Sequence, residues 1–385
     1  SIFGFVVFNP RFLFHPERKY CFMILDKVQL TKFRNFESVQ FSPSPSLSII
    51  TGKNGSGKSS LLEALHYLGY GRSFRTSKHQ SVIKHDNDAF TIFASCQNDD
   101  GKQFKIGLSR GNSEQFKCSV NGEHFKRLSD LVSLLPIQLF TPQSTDLVIG
   151  SPSERRRFCD WGLFHVEQSY SELIKNYGKV LKHRNALLKD YNGQSAQNDT
   201  GYWDQQIIVL GERIDALRGE YVNRLIPVFE STCRQFLPEF SVEISYYRGW
   251  EKDSDLPQAL NKKLPYDRKV GYTSVGPHKA DLRFRVNKTQ AQEVLSRGQL
   301  RMAVAALQLA QTKLFTLETS RHSIFLLDDI GAELDAEKRE RFIDGLLETQ
   351  TQVFVTAIEQ EQLEFVNKYK DKKLFHVEHC NVNEE

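Results

Sequence analysis

The stretch "SLSIITGKNGSGKSSLLEALHYLGYG" constrains this chain more than any other. The apolar, β-branched run from Ser46 to Ile50 reads as a buried strand. Gly52, Lys53, Asn54, Gly55, Ser56, Gly57, Lys58 and Ser59 then fill the phosphate-loop pattern G-x-x-x-x-G-K-[ST], with Gly55 as an extra glycine. Leu61, Leu62, Leu65 and Leu68 follow on one helical face, and Gly69 and Gly71 stop the helix. Strand, glycine loop and helix is the context in which backbone N–H groups at a helix N-terminus hold phosphates. Lys58 then reaches the terminal phosphate oxygens, the Ser59 hydroxyl is a Mg²⁺ ligand, and Ser60 counts among the ATP contacts.

Two later segments suit such a loop. "SIFLLDDI" (Ser323 to Ile330) is an apolar strand that ends in two aspartates. A buried strand delivering carboxylates at its C-terminal end is what a P-loop needs for its metal. Asp328 is placed to reach Mg²⁺ through water, and Asp329 to accept a proton from the attacking water. By itself this segment is only a strand with an acidic turn; the P-loop gives it meaning. "LSRGQLR" (Leu295 to Arg301) precedes the helix "MAVAALQLAQTKLF". Ser296, Arg297, Gly298 and Gln299 there form either a plain helix cap or a second anion site.

A length of 385 residues is long for one core and implies two lobes, or a domain with an insertion. Residues 23–150 read as strands around one helix, with hairpin signals at "NDDG" and Asn121-Gly122. Residues 151–270 turn helical. Ser169 to Tyr191 and Tyr202 to Leu237 are expected to form an antiparallel helical hairpin that projects as an arm. Residues 271–385 return to strands and helices. The fold expected is α/β: a nucleotide-binding head split in sequence, with an inserted helical arm lobe. Residues 1–22 read as an added leader with no part in the fold.

The cysteines are scattered without a C-x-x-C pair, so neither zinc nor a disulfide framework is indicated and a cytoplasmic, reduced protein is expected. No apolar run approaches the ~20 residues of a membrane span. A net charge of +4 permits a polyanionic partner without demanding one. Arg155, Arg156 and Arg157 form one basic run, and Lys182, His183 and Arg184 another; phosphate contact or a solvated face is open for each. Base readout is not expected, since no zinc knuckle or helix-turn-helix is visible.

In chain order, "FRNF", "GKNGSGKSS", "GYGRSFR", "ERRRFCDW", "QFLPEF", "GPHKADL", "LSRGQL" and "LLDDIGAELD" resemble the RecF family of ABC-type ATPases, a class that includes the SMC proteins. The resemblance covers Met23 to about Val377. It implies an ABC-type head in which "LSRGQ" is the signature and Ala332 to Asp335 the D-loop. It implies that Arg34 and Asn35 reach the nucleotide phosphates and that Gln143, near the Q-loop position, senses the metal. It also implies an ATP-dependent homodimer, with Ser296 and its neighbours acting in trans. Such a dimer would clamp duplex DNA near single-strand gaps and junctions, act with RecO and RecR, and help load the RecA recombinase. The sequence departs from the ABC pattern twice. Thr356 or Ala357 stands where a switch histidine belongs, and Asp329 replaces a glutamate, so slow, DNA-stimulated ATP hydrolysis is expected. An SMC-like structural clamp and a transporter's nucleotide-binding subunit are the alternatives. The short helices argue against the first, and the insertion and missing histidine against the second.

Overall fold

Residues 47–51, 324–327 and 352–357 are apolar almost without interruption, and each becomes a strand buried along its whole length. Such runs belong to a parallel sheet covered on both faces. The computed structural model describes residues 24–98, 101–112, 116–125, 132–190, 200–358 and 360–385. The expected leader, residues 1–22, and most of the loop between the long helices lie outside them.

The first half contains β1 (Ile24–Phe33), β2 (Phe36–Phe41), β3 (Leu47–Thr51), α1 (Lys58–Tyr70), β4 (Ala89–Gln97), β5 (Gln103–Gly111), β6 (Phe116–Val120), β7 (Glu123–Phe125) and β8 (Ile137–Phe140). The helical insertion follows as α2 (Pro152–Val166), α3 (Tyr170–Asp190), α4 (Gly201–Phe236), β9 (Val242–Tyr247) and α5 (Leu256–Val270). The chain ends with β10 (Asp281–Val286), β11 (Thr289–Gln290), α6 (Arg297–Thr319), β12 (Ile324–Leu327), α7 (Ala336–Glu348), β13 (Gln352–Ala357), β14 (Lys372–Glu378) and β15 (Asn381–Glu384).

One sheet has the order β15-β14-β3-β13-β12-β8, parallel except for β15. It draws β3 and β8 from the first half and the rest from the second, so the head closes only when the two halves meet. Side chains alternate between its faces. Ile50, Ile324, Leu326 and Phe354 pack with α1 and the antiparallel sheet β2-β1-β4-β5-β6-β7. Ile49, Phe325, Leu327, Val353 and Val355 pack on the other side, with α6 and α4. The buried Gln352 joins the two sheets: its amide donates to the carbonyls of Leu25 and Ser44, both at 2.8 Å, and its oxygen accepts the Leu25 N–H at 2.9 Å.

The inserted helices form a lobe of their own that also packs on the head. One face of α4 is buried along most of its length, through Ile207, Ile214, Tyr221, Leu225, Phe229 and Phe236. That face packs on α6, α3 and α2, so the lobe shares its core with the head. A helix this apolar on one side must cover it, and the nearest cover is the signature helix. Among the described residues, no helix is long and apolar enough to cross a membrane.

Buried arginines lock this lobe. Arg184 on α3 is fully buried, with its Nε on Asp204 of α4 at 2.5 Å and its Nη1 on Asp267 of α5 and Thr273, both at 2.9 Å. Arg218 on α4 binds Asp160 of α2 and the Pro277 carbonyl. Removing one partner of a buried pair leaves the other charge without a counter-ion. Arg184→Met, which keeps most of the volume, should therefore lower unfolding stability by roughly 3–5 kcal/mol. Urea denaturation followed by circular dichroism measures this, and an unchanged midpoint would show that the network carries no stability.

Candidate functional site

The carboxyl ends of β3, β12 and β13 lie side by side, and the loop 52–57 leaves β3 at that edge before entering α1. Gly52 has φ +146, and a β-carbon there would overlap the Val377 carbonyl oxygen. Gly57, the N-cap of α1, has φ +118, and a β-carbon would meet the Phe36 ring at 2.9 Å. Both sites need glycine for conformation and for space. Lys53, Asn54 and Gly55 are exposed at the rim.

Lys58 is buried and folds back over the loop, donating to the Gly52 carbonyl and, at 3.0 Å, to that of Lys53. Burial pulls its pKa down, opposed by the carboxylates of Asp329 and Asp328. An ammonium held on carbonyls beside two acids is positioned for an anion's oxygens. The Ser59 hydroxyl donates to Asp328 Oδ1 at 3.1 Å, across 269 residues of sequence. Thr356, at the end of β13, donates to the same oxygen at 2.8 Å and accepts the Asp329 N–H at 2.9 Å. Asp329 stands in the left-handed region, φ 52. Burial first, and then its neighbour Asp328, raises the Asp329 pKa, with Lys58 acting the other way.

Other expected residues are more dispersed. Arg34, on the β1–β2 turn with φ 52, is held by the fully buried Glu63 of α1 at 2.9 and 2.6 Å and donates to the Ser81 carbonyl, while Asn35 is exposed. Arg75 approaches the same carboxylate at 3.6 Å and the Ser60 hydroxyl at 3.4 Å. Gln143 follows β8 in a turn that begins beside Asp328, whose N–H donates to the Phe140 carbonyl. Its exposed side chain lines a groove of about 930 Å³ with Gln138, Arg157 and Trp161. Ser296 caps α6 in a reciprocal pair with Gln299 at 3.3 and 2.9 Å, so the plain-cap reading of these residues is correct as far as it goes. Ser296, Arg297 and Gly298 are nevertheless exposed, and a β-carbon on Gly298 would meet nothing within 4 Å.

Two basic residues offered as DNA contacts are structural. Arg155 is buried, paired with Asp281 at 2.6 Å and bound to the carbonyls of Val148 and Gly150. Arg184 is the interior hub described above. Their charge is spent on carboxylates that burial would otherwise leave uncompensated. Arg156 donates to the Ala280 carbonyl, Arg157 pairs with Glu154 on the surface, Lys182 is exposed, and the exposed His183 stacks on Trp203. Thr356, Glu63 and Arg75 were not singled out as partners of the site from sequence. From sequence Thr356 is only a position where a histidine is missing, in the apolar run "VFVTA".

Phosphate loop, acidic strand end and capped signature helix on a split head define an ABC-type ATPase head. Residues 24–381 match the model of the RecF/RecN/SMC N terminal domain family. The "DNA replication and repair protein RecF" of Pseudoalteromonas atlantica is 54% identical over 363 residues, covering 94% of this chain and all of that one. That of Shewanella piezotolerans is 42% identical over 360 residues, covering 94% of this chain and 99% of its own. A solved structure described as the recombination mediator protein RecF bound to ATP in the RecFOR pathway has a TM-score of 0.84 at 25% identity, covering 96% and 100% of the two chains. An Smc head bound to the C-terminal winged-helix domain of ScpA shares the fold, with a TM-score of 0.59 at 15% identity. The chain belongs to the RecF family.

Thr356 holds both aspartates at once, so its hydroxyl should be felt in stability. Thr356→Val keeps the shape but leaves the Asp329 N–H without its acceptor. A loss of about 1–3 kcal/mol is expected, read by chemical denaturation without nucleotide. An unchanged stability would mean that water replaces the hydroxyl.

Proposed function

We propose that the chain binds ATP with Mg²⁺ at this edge, that two ATP-loaded copies close face to face, and that the closed pair holds duplex DNA near single-strand gaps during recombinational repair. The observation that carries this is the Ser59–Asp328–Thr356 contact. It gathers the P-loop, the acidic strand and the strand that would carry a switch residue onto one carboxylate oxygen. Ser59 Oγ and Asp328 Oδ1, 3.1 Å apart, are the side-chain oxygens that would hold the ion, Asp328 through water. Among the described residues no cluster of three or more His, Cys, Asp and Glu could hold a metal, so the ion would share its shell with phosphate oxygens and water. Bound Mg²⁺ would neutralise phosphate charge there.

The protein's own groups do the rest. Lys58 takes the terminal phosphates, and loop N–H groups hold the bridging oxygens. Asp329, whose pKa burial and Asp328 raise, orients the attacking water and takes its proton. Its short side chain and the absence of a histidine at Thr356 favour slow turnover, so hydrolysis times DNA release and drives no motion along it. The exposed N-terminus of α6 serves the γ-phosphate of a second copy, because one P-loop already supplies donors in cis. Stimulation by DNA, and association with RecR and RecO, rest on the family relationship alone. Of the basic residues named from the sequence, Lys182 and Arg157 are exposed enough to meet phosphates, Arg157 by giving up its surface pair with Glu154.

Asp329→Asn should still bind ATP, with hydrolysis lowered by about 10²–10⁴-fold and DNA complexes prolonged. Unchanged turnover in a phosphate-release assay would place the base elsewhere.

Ser296→Arg adds bulk at an exposed surface of the single chain, at the cost of the Gln299 cap. It should bind ATP like the parent yet stay monomeric in sedimentation and fail to retain DNA. ATP-dependent dimers of this variant would show that the signature acts within one chain.

A further inference from the structure

The hairpin of β14 and β15 lies against the back of the glycine loop. β14 pairs in parallel with β3, setting Phe375 opposite Ile50 and His376 opposite Thr51, and His376 Nδ1 lies 3.2 Å from Thr51 Oγ1. One residue further on, the Val377 carbonyl occupies the space a side chain on Gly52 would need. At the tip, the Cys380 N–H donates to the Ser56 carbonyl at 3.3 Å. Cys380 and Val382 pack on the same core as α1, and β15 rests on β2.

A planar trans peptide points its C=O and N–H in opposite directions. With the Ser56 carbonyl drawn to the hairpin, the Gly57 N–H is turned away from it, toward the inner side of the loop. At Gly57 itself the Phe36 ring fills the space a side chain would need. We propose that the β14–β15 hairpin is the positioning element of the phosphate loop, its Cys380 N–H orienting the Ser56–Gly57 peptide so that Gly57 presents its N–H to phosphate. The proposal rests on the reading of the loop as the ATP site.

The turn makes this adjustable. Glu378 pairs with Asn381, which leaves His379 and Cys380 as a two-residue connection, both left-handed at φ 48 and 60. Such a turn favours Asn-Gly, and neither histidine nor cysteine suits it. The loop is therefore held by a hairpin whose own turn is strained, and the strain can be altered in either direction without touching a residue that faces nucleotide.

The test uses the full chain, titrated calorimetrically with Mg–ATP and with Mg–ADP. His379→Asn combined with Cys380→Gly should tighten both nucleotides by about threefold or more, and Cys380→Val, a β-branched residue at positive φ, should weaken both by a similar factor. Circular dichroism melting confirms that each variant is folded. Hydrogen exchange of the peptide spanning residues 52–60 should slow in the first variant and quicken in the second, which a merely structural turn would not cause. Affinities within twofold of the parent in both variants, or unchanged exchange in that peptide, overturn the proposal. Lys58→Met separates the two readings. If it abolishes binding while the turn variants do nothing, only the hairpin's role fails. If it binds ATP as the parent does, the ATP-site reading itself fails.

Discussion

One carboxylate oxygen, Asp328 Oδ1, accepts the hydroxyls of Ser59 and Thr356, and most of the architecture exists to bring those three residues together. Ser59 follows β3, Asp328 follows β12 and Thr356 lies at the end of β13, so the contact demands a parallel sheet with β13 between the other two. Its register supplies this, with Thr356 opposite Ile50 and Val355 opposite Leu327. Neither half of the sequence can make the site alone. The insertion follows β8, whose parallel end at Phe140 receives the Asp328 N–H, and the chain returns to the head through β10.

The insertion is held together by buried ion pairs as well as by its apolar face, and one of them, Arg155–Asp281, ties it to the head. Arg155, Arg184 and Arg218 each neutralise a carboxylate on another element, and each fixes the relative placement of segments distant in sequence. Such pairs are poor general stabilisers, since desolvation offsets much of their attraction, but breaking one is costly. Here they specify which helices meet. They also explain why a count of basic residues overstates the surface available to a polyanion.

Much of the site was legible because its chemistry requires fixed residues at fixed spacing. A glycine loop between strand and helix, and an acidic strand end, have few other uses. Strand type followed as well, since residues 324–327 and 352–357 lack the alternation of a one-sided sheet. The rest depends on tertiary partners. "ERRRF" reads as phosphate contact or a solvated face until Asp281 is seen against Arg155, and the packing of α4 on α6 is invisible until the fold brings them together. Thr356 reads as the absence of a histidine, whereas in space it is a hydroxyl tying the two aspartates together. Gln352 shows how little sequence reveals of a buried amide that joins two sheets.

Ser59 bonds to Asp328, and Lys58 donates to the loop's carbonyls. On the proposed function, metal and phosphate take over these contacts when ATP binds. Calorimetric titration of ATP with and without Mg²⁺, on the parent chain and on Asp328→Asn, tests that exchange most directly. It predicts tight binding to the parent only with Mg²⁺, and weak, Mg²⁺-independent binding to the variant. Equal affinity for ATP with and without Mg²⁺ in the parent would contradict it.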